Sequence, residues 1–219
     1  MFPWLRVIRV GLGIIAQSKV DLLATTRVRL RVWPNDLDFN LHVNAGRYLT
    51  LADIGHINWF ARTRILGVAR QQKVFPMVSD AIAKFRRDLK VFQSFEIHTR
   101  LIGWDRRYGF FEHRFVRRGR VIGMVAIRGV FKGPDGPVDL VVLLAGLPDS
   151  APSPKLPEWA NRFHQSGELL SELLREEERS RALNGWTWPN QAGRQAARYP
   201  APLAHSQRLI LIAKPTKLR

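Results

Sequence analysis

Cysteine is absent from the 219 residues. That removes disulfides, thiolate nucleophiles and cysteine-based zinc sites, and leaves the redox compartment undetermined. No stretch supplies the ~20 consecutive apolar residues that a membrane-spanning helix needs. Val138 to Leu147 comes closest and is too short. No internal repeat is present. Gly11-Leu-Gly13 lacks the strand–turn–helix setting that a dinucleotide-phosphate cradle requires. Acidic residues are scarce as well, with 18 Asp and Glu against 35 Lys and Arg.

The resulting net charge of +17 fits an anionic partner: nucleic acid, an anionic membrane, a nucleotide-tailed ligand such as coenzyme A, or an acidic carrier protein. A plain basic protein satisfies the same number. With 46% hydrophobic and 10% aromatic residues the chain can bury a real core, and its length suits one domain with appendages.

The densest chemistry lies in Asp36-Leu-Asp38-Phe-Asn40-Leu-His42-Val-Asn44-Ala-Gly46-Arg-Tyr48. Two carboxylates, two amides and an imidazole fall between a strand-like run, Thr25 to Trp33, and a long helical pattern. Capping a helix takes one such residue. In an extended segment Asp38, Asn40 and His42 would point one way, and Phe39, Leu41 and Val43 the other. A carboxylate beside an imidazole and an amide can activate water or attack a carbonyl. The first turn of the helix offers free N–H groups to an oxyanion, and Gly46 admits close approach. The plainer reading is that Asp36 or Asp38 caps the helix, Asn40 makes an Asx-turn and His42 is half-buried. Spacing alone does not separate the two.

The loop resembles the active-site loop of hotdog-fold acyl thioesterases, most closely the plant acyl-carrier-protein enzymes and the member-6 type of the thioesterase superfamily. The likeness extends through Phe95 to Asp105 and Glu112 to Val116, is weaker over Leu156-Pro-Glu-Trp, and covers roughly residues 25 to 175. It implies an α+β hotdog domain, with a five- to six-stranded antiparallel sheet wrapped around a long central helix. It implies Asp38 as general base or nucleophile, and Asn40 and His42 as the groups that position water and substrate. Arg86-Arg87-Asp88 matches a later acidic position of the plant enzymes, with Asp in place of Glu and Leu89 in place of cysteine. Asn44, Ala45, Gly46 and Tyr48 would contact the substrate. No cofactor is implied beyond the coenzyme A of an acyl-CoA substrate; an acyl carrier protein is the other carrier. Subunits of such folds pair into homodimers or higher homo-oligomers.

Along the chain, residues 1–19 read as an amphipathic helix, with Trp4, Leu5, Ile8, Leu12 and Ile15 at helical spacing beside Arg6 and Arg9. It can pack on the domain or lie on an anionic membrane. The expected localisation is cytoplasmic, peripheral to a membrane in the second case. Residues 20–147 form the hotdog domain. Thr25 to Trp33 alternates Val28, Leu30 and Val32 against Arg27, Arg29 and Arg31, a solvated row. A helix is expected from Asn44 to about Leu66, with Gly67 as its C-cap and Gly55 packed on the sheet; Asp53 and His56 lie on or near it, where either could be catalytic, although isolated polar residues on a helix flank are more often solvated. Strands are expected at Phe75 to Asp88, Phe95 to Gly103, Tyr108 to Arg117 and Val121 to Lys132, with a basic hairpin at Arg117 to Arg120. His98 and His113 read as facing outward, without partners at metal-ligand spacing. Residues 148–183 form a Pro/Ser linker and a helix whose stripe, Trp159, Phe163, Leu169, Leu170, Leu173 and Leu174, packs on the domain or a partner. Residues 184–219 form a basic Pro/Ala/Arg-rich tail with one strand at Leu209 to Ala213.

Three functions follow for testing: acyl-thioester hydrolysis, non-catalytic acyl or lipid binding at a membrane surface, and nucleic-acid binding. The last rests on charge alone and ranks lowest. Hydration or dehydration of an acyl thioester is a related option on the same fold.

Overall fold

The computed structural model describes residues 4–15 and 17–184. The chain divides into two compact units, residues 1–171 and 172–219, and the second is described only to Asn184, along one helix. The tail beyond, with the strand expected at Leu209 to Ala213, lies outside the described residues.

β1 (Thr26–Arg31) folds as its alternation dictates, with Thr26, Val28 and Leu30 buried and its three arginines exposed. A short 3-10 turn, Pro34–Asp36, and the polar loop lead into α2 (Ala45–Arg62). α2 turns Tyr48, Ala52, Gly55 and Trp59 inward, together with Leu51 and Ile54. Gly55 sits hard against the sheet. A Cβ there would lie 2.5 Å from Thr99 Oγ1 and 2.9 Å from Ile97 Cγ2. The helix stops at Arg62 rather than near Leu66. Thr63 takes an extended conformation and its N–H bonds the Trp59 carbonyl, so Gly67 falls inside a separate helix, α3 (Ile65–Gln71), and caps nothing.

β2 (Phe75–Phe85), β3 (Ser94–Trp104), β4 (Gly109–Arg117) and β5 (Arg120–Gly133) complete an antiparallel sheet of order β1-β3-β4-β5-β2, with the short β6 (Gly136–Pro137) paired to β5. This is the hotdog arrangement, a long helix held against a curled sheet. β2 ends at Phe85, so Arg86 to Asp88 belong to the following loop, where the Arg86 and Arg87 N–H groups both bond the Ile122 carbonyl. Arg118 and Gly119 turn the β4–β5 hairpin with φ of 48° and 71°, the left-handed pair that a two-residue turn requires.

The main core lies between α2 and the sheet. A second cluster, Ile102, Tyr108, Phe110 and Ala160, is covered by Leu156 and Trp159. α4 (Leu140–Ala145) adds Leu140, Leu143 and Leu144 to the main core. α5 (Glu158–Asn184) is anchored by Arg128 of β5, whose buried guanidinium bonds Asp80 of β2 and Glu168 and His164 of α5. Gly167 makes room for that guanidinium, since a Cβ would lie 2.6 Å from Arg128 Nη2. The apolar stripe expected on α5 divides: Phe163 is buried, but Leu169, Leu170, Leu173 and Leu174 are exposed.

α1 (Trp4–Ile15) is a helix as its spacing predicts, but with the opposite face inward. Arg6 is buried against Asp36, and Val7 and Val10 pack on the core, while Trp4, Leu5, Ile8 and Leu12 are exposed. No helix among the described residues is long and apolar enough to cross a membrane.

Candidate functional site

Asp36 organises the loop from inside the protein. It is fully buried, and accepts hydrogen bonds from Arg6 (3.0 Å), the Trp33 N–H (2.8 Å) and Arg47 (2.8 Å). Burial alone would raise its carboxyl. The bonds from Arg6, Trp33 and Arg47 outweigh burial and hold it below the ordinary carboxylate range. Its own carbonyl accepts the Asn44 N–H at 2.9 Å.

Asp38 then shapes the turn. Its Oδ1 accepts the N–H groups of Asn40 (2.9 Å) and His42 (3.3 Å), so the Asx-turn is Asp38's rather than Asn40's. The Asp38 N–H bonds the His42 carbonyl, the Leu41 N–H bonds the Asp38 carbonyl, and Leu41 adopts φ of 60°. The segment therefore folds back on itself. The expected two-faced extended strand is absent: Phe39 (93%) and Leu41 (70%) are exposed, whereas Val43 is buried. Asp38 Oδ2 accepts no hydrogen bond among the described residues. The Asn40 side chain is exposed.

Backbone pairing brings the second carboxylate in. His42 bridges to Lys90, and the Val43 N–H bonds the Leu89 carbonyl at 2.9 Å. Leu89 is buried and pins that contact, so Asp88 stands beside the loop with Oδ2 3.6 Å from His42 Nε2. Two of the expected residues, distant in sequence, thus meet.

Asn44, rather than either aspartate, caps α2, with Oδ1 accepting the Gly46 N–H at 2.8 Å. Of the amides expected to hold an oxyanion, those of Asn44 and Gly46 are therefore engaged. The Ala45 N–H opens the helix without an intrahelical acceptor. Tyr48 is buried, with its ring centroid 4.9 Å from that of Phe85 and 4.8 Å from that of Phe115. Burial and the Asp88 carboxylate push its hydroxyl up to about 12. It presents little surface to a ligand.

A second constellation gathers around Asp53 and His56, which the sequence left open between a catalytic role and a solvated flank. Along α2, Asp53, His56, Ile57 and Phe60 line a cavity of about 260 Å³, walled by Met77 and Val78 of β2, Phe111 of β4 and Val130 and Phe131 of β5. Burial raises the Asp53 carboxyl and lowers His56 to about 3. The His56 ring lies 4.3 Å from Phe111 and 5.4 Å from His113. His113 is buried rather than outward-facing. Burial, reinforced by His56, holds it well below its usual value, and Nδ1 lies 2.9 Å from Thr99 Oγ1. The sequence carried signals for both. Phe111, His113 and Phe115 share one face of β4 by period two, and His56 is four residues from both Ala52 and Phe60. His98, by contrast, bonds Glu96 on the outer face, as expected.

Neither this cavity nor the larger one beside α1 is lined by Asp38, Asn40 or His42. Asp53 stands eight residues into α2, about 12 Å from its mouth at 1.5 Å per residue. Among the described residues, no three or more His, Asp or Glu groups gather as a metal site.

A family model described as the thioesterase-like superfamily matches residues 32–147. Protein THEM6 of Danio rerio is 34% identical over 116 residues, 52% of this chain and 57% of that protein. Protein THEM6 of Xenopus laevis is 35% identical over 96 residues, 44% of this chain and 46% of that protein. The chain thus spans about half the length of these two relatives. Among solved structures, a probable thioesterase from Bartonella henselae aligns with a TM-score of 0.47 at 21% identity, covering 53% of this chain and 99% of that one.

Proposed function

The chain belongs to the thioesterase-like superfamily, and from that footing we propose that it hydrolyses an acyl thioester, acyl-CoA or acyl carrier protein, with Asp38 as the working carboxylate. The observation that carries this reading is the uncommitted Oδ2 of Asp38, in a loop where His42 stands against Asp88 at the mouth of α2. As general base, Asp38 takes a proton from water while the oxygen adds to the carbonyl carbon. The tetrahedral intermediate then expels the thiolate, which is protonated as it leaves. As nucleophile, Oδ2 itself adds to the carbonyl carbon and the C–S bond breaks, releasing the thiolate, which takes up a proton. The mixed anhydride left behind is then opened by water to the Asp38 carboxylate and the free acid. In either route Asn40 and His42 orient the reacting groups, Asp88 holds the His42 ring, and the Ala45 N–H faces the developing oxyanion.

The apolar cavity along α2 would receive the acyl chain. Its outer wall is β2, an edge strand whose Phe75, Met77, Val78, Ile82 and Phe85 are exposed. A second copy pairing along that edge would cover those side chains and close the cavity, as edge strands require.

Asp53 supports a second assignment of the same chemistry. It lines the cavity, and burial raises its carboxyl above the ordinary carboxylate value. The test is thiol release from a panel of acyl-CoA chain lengths and an acyl carrier protein, with wild type, Asp38→Asn and Asp53→Asn assayed together. Turnover lost in Asp38→Asn and kept in Asp53→Asn supports the first assignment; the reverse supports the second. Turnover of no panel member by wild type overturns hydrolysis.

A further inference from the structure

α1 leaves outward the face that a packed helix normally buries. Viewed down its axis, Arg6, Val7 and Val10 fall on one side and meet the domain. Trp4, Leu5, Ile8 and Leu12 fall on the other, exposed by 65, 69, 57 and 66%. Large apolar side chains clustered on the outer face of a helix are ordinarily covered by a second surface. Here one side is taken and the other still needs a cover.

The orientation is fixed. Arg6 Nη1 bonds Asp36 Oδ1 at 3.0 Å, Arg6 Nη2 bonds the Arg31 carbonyl at 2.9 Å, and the guanidinium lies 5.0 Å from the centre of the Trp33 ring. Rolling the helix to hide its leucines would strand a buried arginine and the Asp36 carboxylate. Beside this face runs a cavity of about 680 Å³ lined by Leu5, Arg9, Arg27, Arg29 and Arg31 among others, with no acidic side chain among the described residues of its lining. Glu96, directly across from Arg29, offsets one of the three β1 arginines and is also bonded to His98.

We propose that α1 and the arginine row of β1 form a docking surface for an anionic membrane. Leu5, Ile8 and Leu12 enter the acyl boundary, while Arg9, Arg27, Arg29 and Arg31 meet the headgroups. The membrane fits better than a second copy of the chain, because this surface carries clustered positive charge and a copy would bring the same charge to meet it. The proposal does not rest on thioester hydrolysis.

The test is co-sedimentation of the full chain with vesicles of phosphatidylcholine alone and with about 30% phosphatidylserine, a content that gives an anionic surface. Wild type partitions to the anionic vesicles, and the bound fraction falls at high salt. Leu5→Ser/Ile8→Ser/Leu12→Ser and Arg27→Gln/Arg29→Gln/Arg31→Gln, all at exposed positions, each weaken partitioning by about 10-fold or more. Far-UV circular dichroism and the melting temperature check their folds, and Asp38→Asn binds as wild type does. The proposal is overturned if wild type shows no preference for anionic vesicles, if either folded variant binds as well as wild type, or if the serine variant instead dissociates an oligomer.

Discussion

The imidazole rings of His56 and His113 stand 5.4 Å apart, and Nε2 of each is buried without a hydrogen-bond partner among the described residues. Burial holds both neutral, His56 down to about 3 and His113 well below its ordinary value. In the unfolded chain both titrate near 6.5, so below that pH the unfolded state binds more protons. Their contribution to stability is complete above about pH 6.5 and is lost as pH falls toward 3, by at most about 1.4 kcal/mol per pH unit for each group. Urea unfolding at about pH 7 and about pH 4.5 measures the slope. His56→Phe, which keeps an aromatic ring beside Phe60 and Phe111 and removes the titrating group, flattens it; an unchanged slope would show that His56 is not the group responsible.

Asp36→Ala leaves Arg6 buried and deprives Arg47 of its carboxylate. The expected loss is about 3–5 kcal/mol, the cost of breaking a buried ion pair from one side. Urea titration gives the figure, and a loss below about 1 kcal/mol would mean that Arg6 finds water.

Gly55→Ala sets two effects against each other. Alanine gains about 1 kcal/mol of helix propensity. Its Cβ would meet Thr99 Oγ1 at 2.5 Å and Ile97 Cγ2 at 2.9 Å, in a wall of sheet that cannot retreat. Overpacking costs about 1–3 kcal/mol, so the clash prevails and the melting temperature falls. A rise would show that α2 shifts freely against β3.

Pairing of a second copy along β2 predicts that Val78→Lys with Ile82→Lys, both exposed on the edge strand, yields monomers. Sedimentation velocity reads the change directly. Dimers that persist in this variant would place the contact elsewhere.

The strand and helix periods gave most of the fold, because β1 and α2 bury the apolar residues their spacing says they bury. Where expectation failed, a contact distant in sequence decided. α1 turned its apolar face outward because Arg6 found Asp36, thirty residues away, and no spacing within the helix encodes that partner. The loop was legible as a cluster of polar groups but not as a shape. Its turn depends on Leu41 at positive φ and on the pairing of His42 with Lys90, which also delivers Asp88. Asp53 and His56 looked solvated because their cover comes from β2 and β5, elements remote along the chain. His113 is different in kind, since its place between Phe111 and Phe115 marked it as inward all along.

Asp38 is held by two backbone N–H groups through one oxygen and leaves the other to a substrate or water. The most direct test is kcat/KM for acyl-CoA hydrolysis by Asp38→Asn, with circular dichroism alongside. The amide keeps an oxygen to accept the Asn40 and His42 N–H groups, so the loop survives, but it cannot take a proton or attack a carbonyl. A fall of at least ~100-fold with the fold intact is the predicted result. Turnover equal to wild type would contradict the assignment of Asp38.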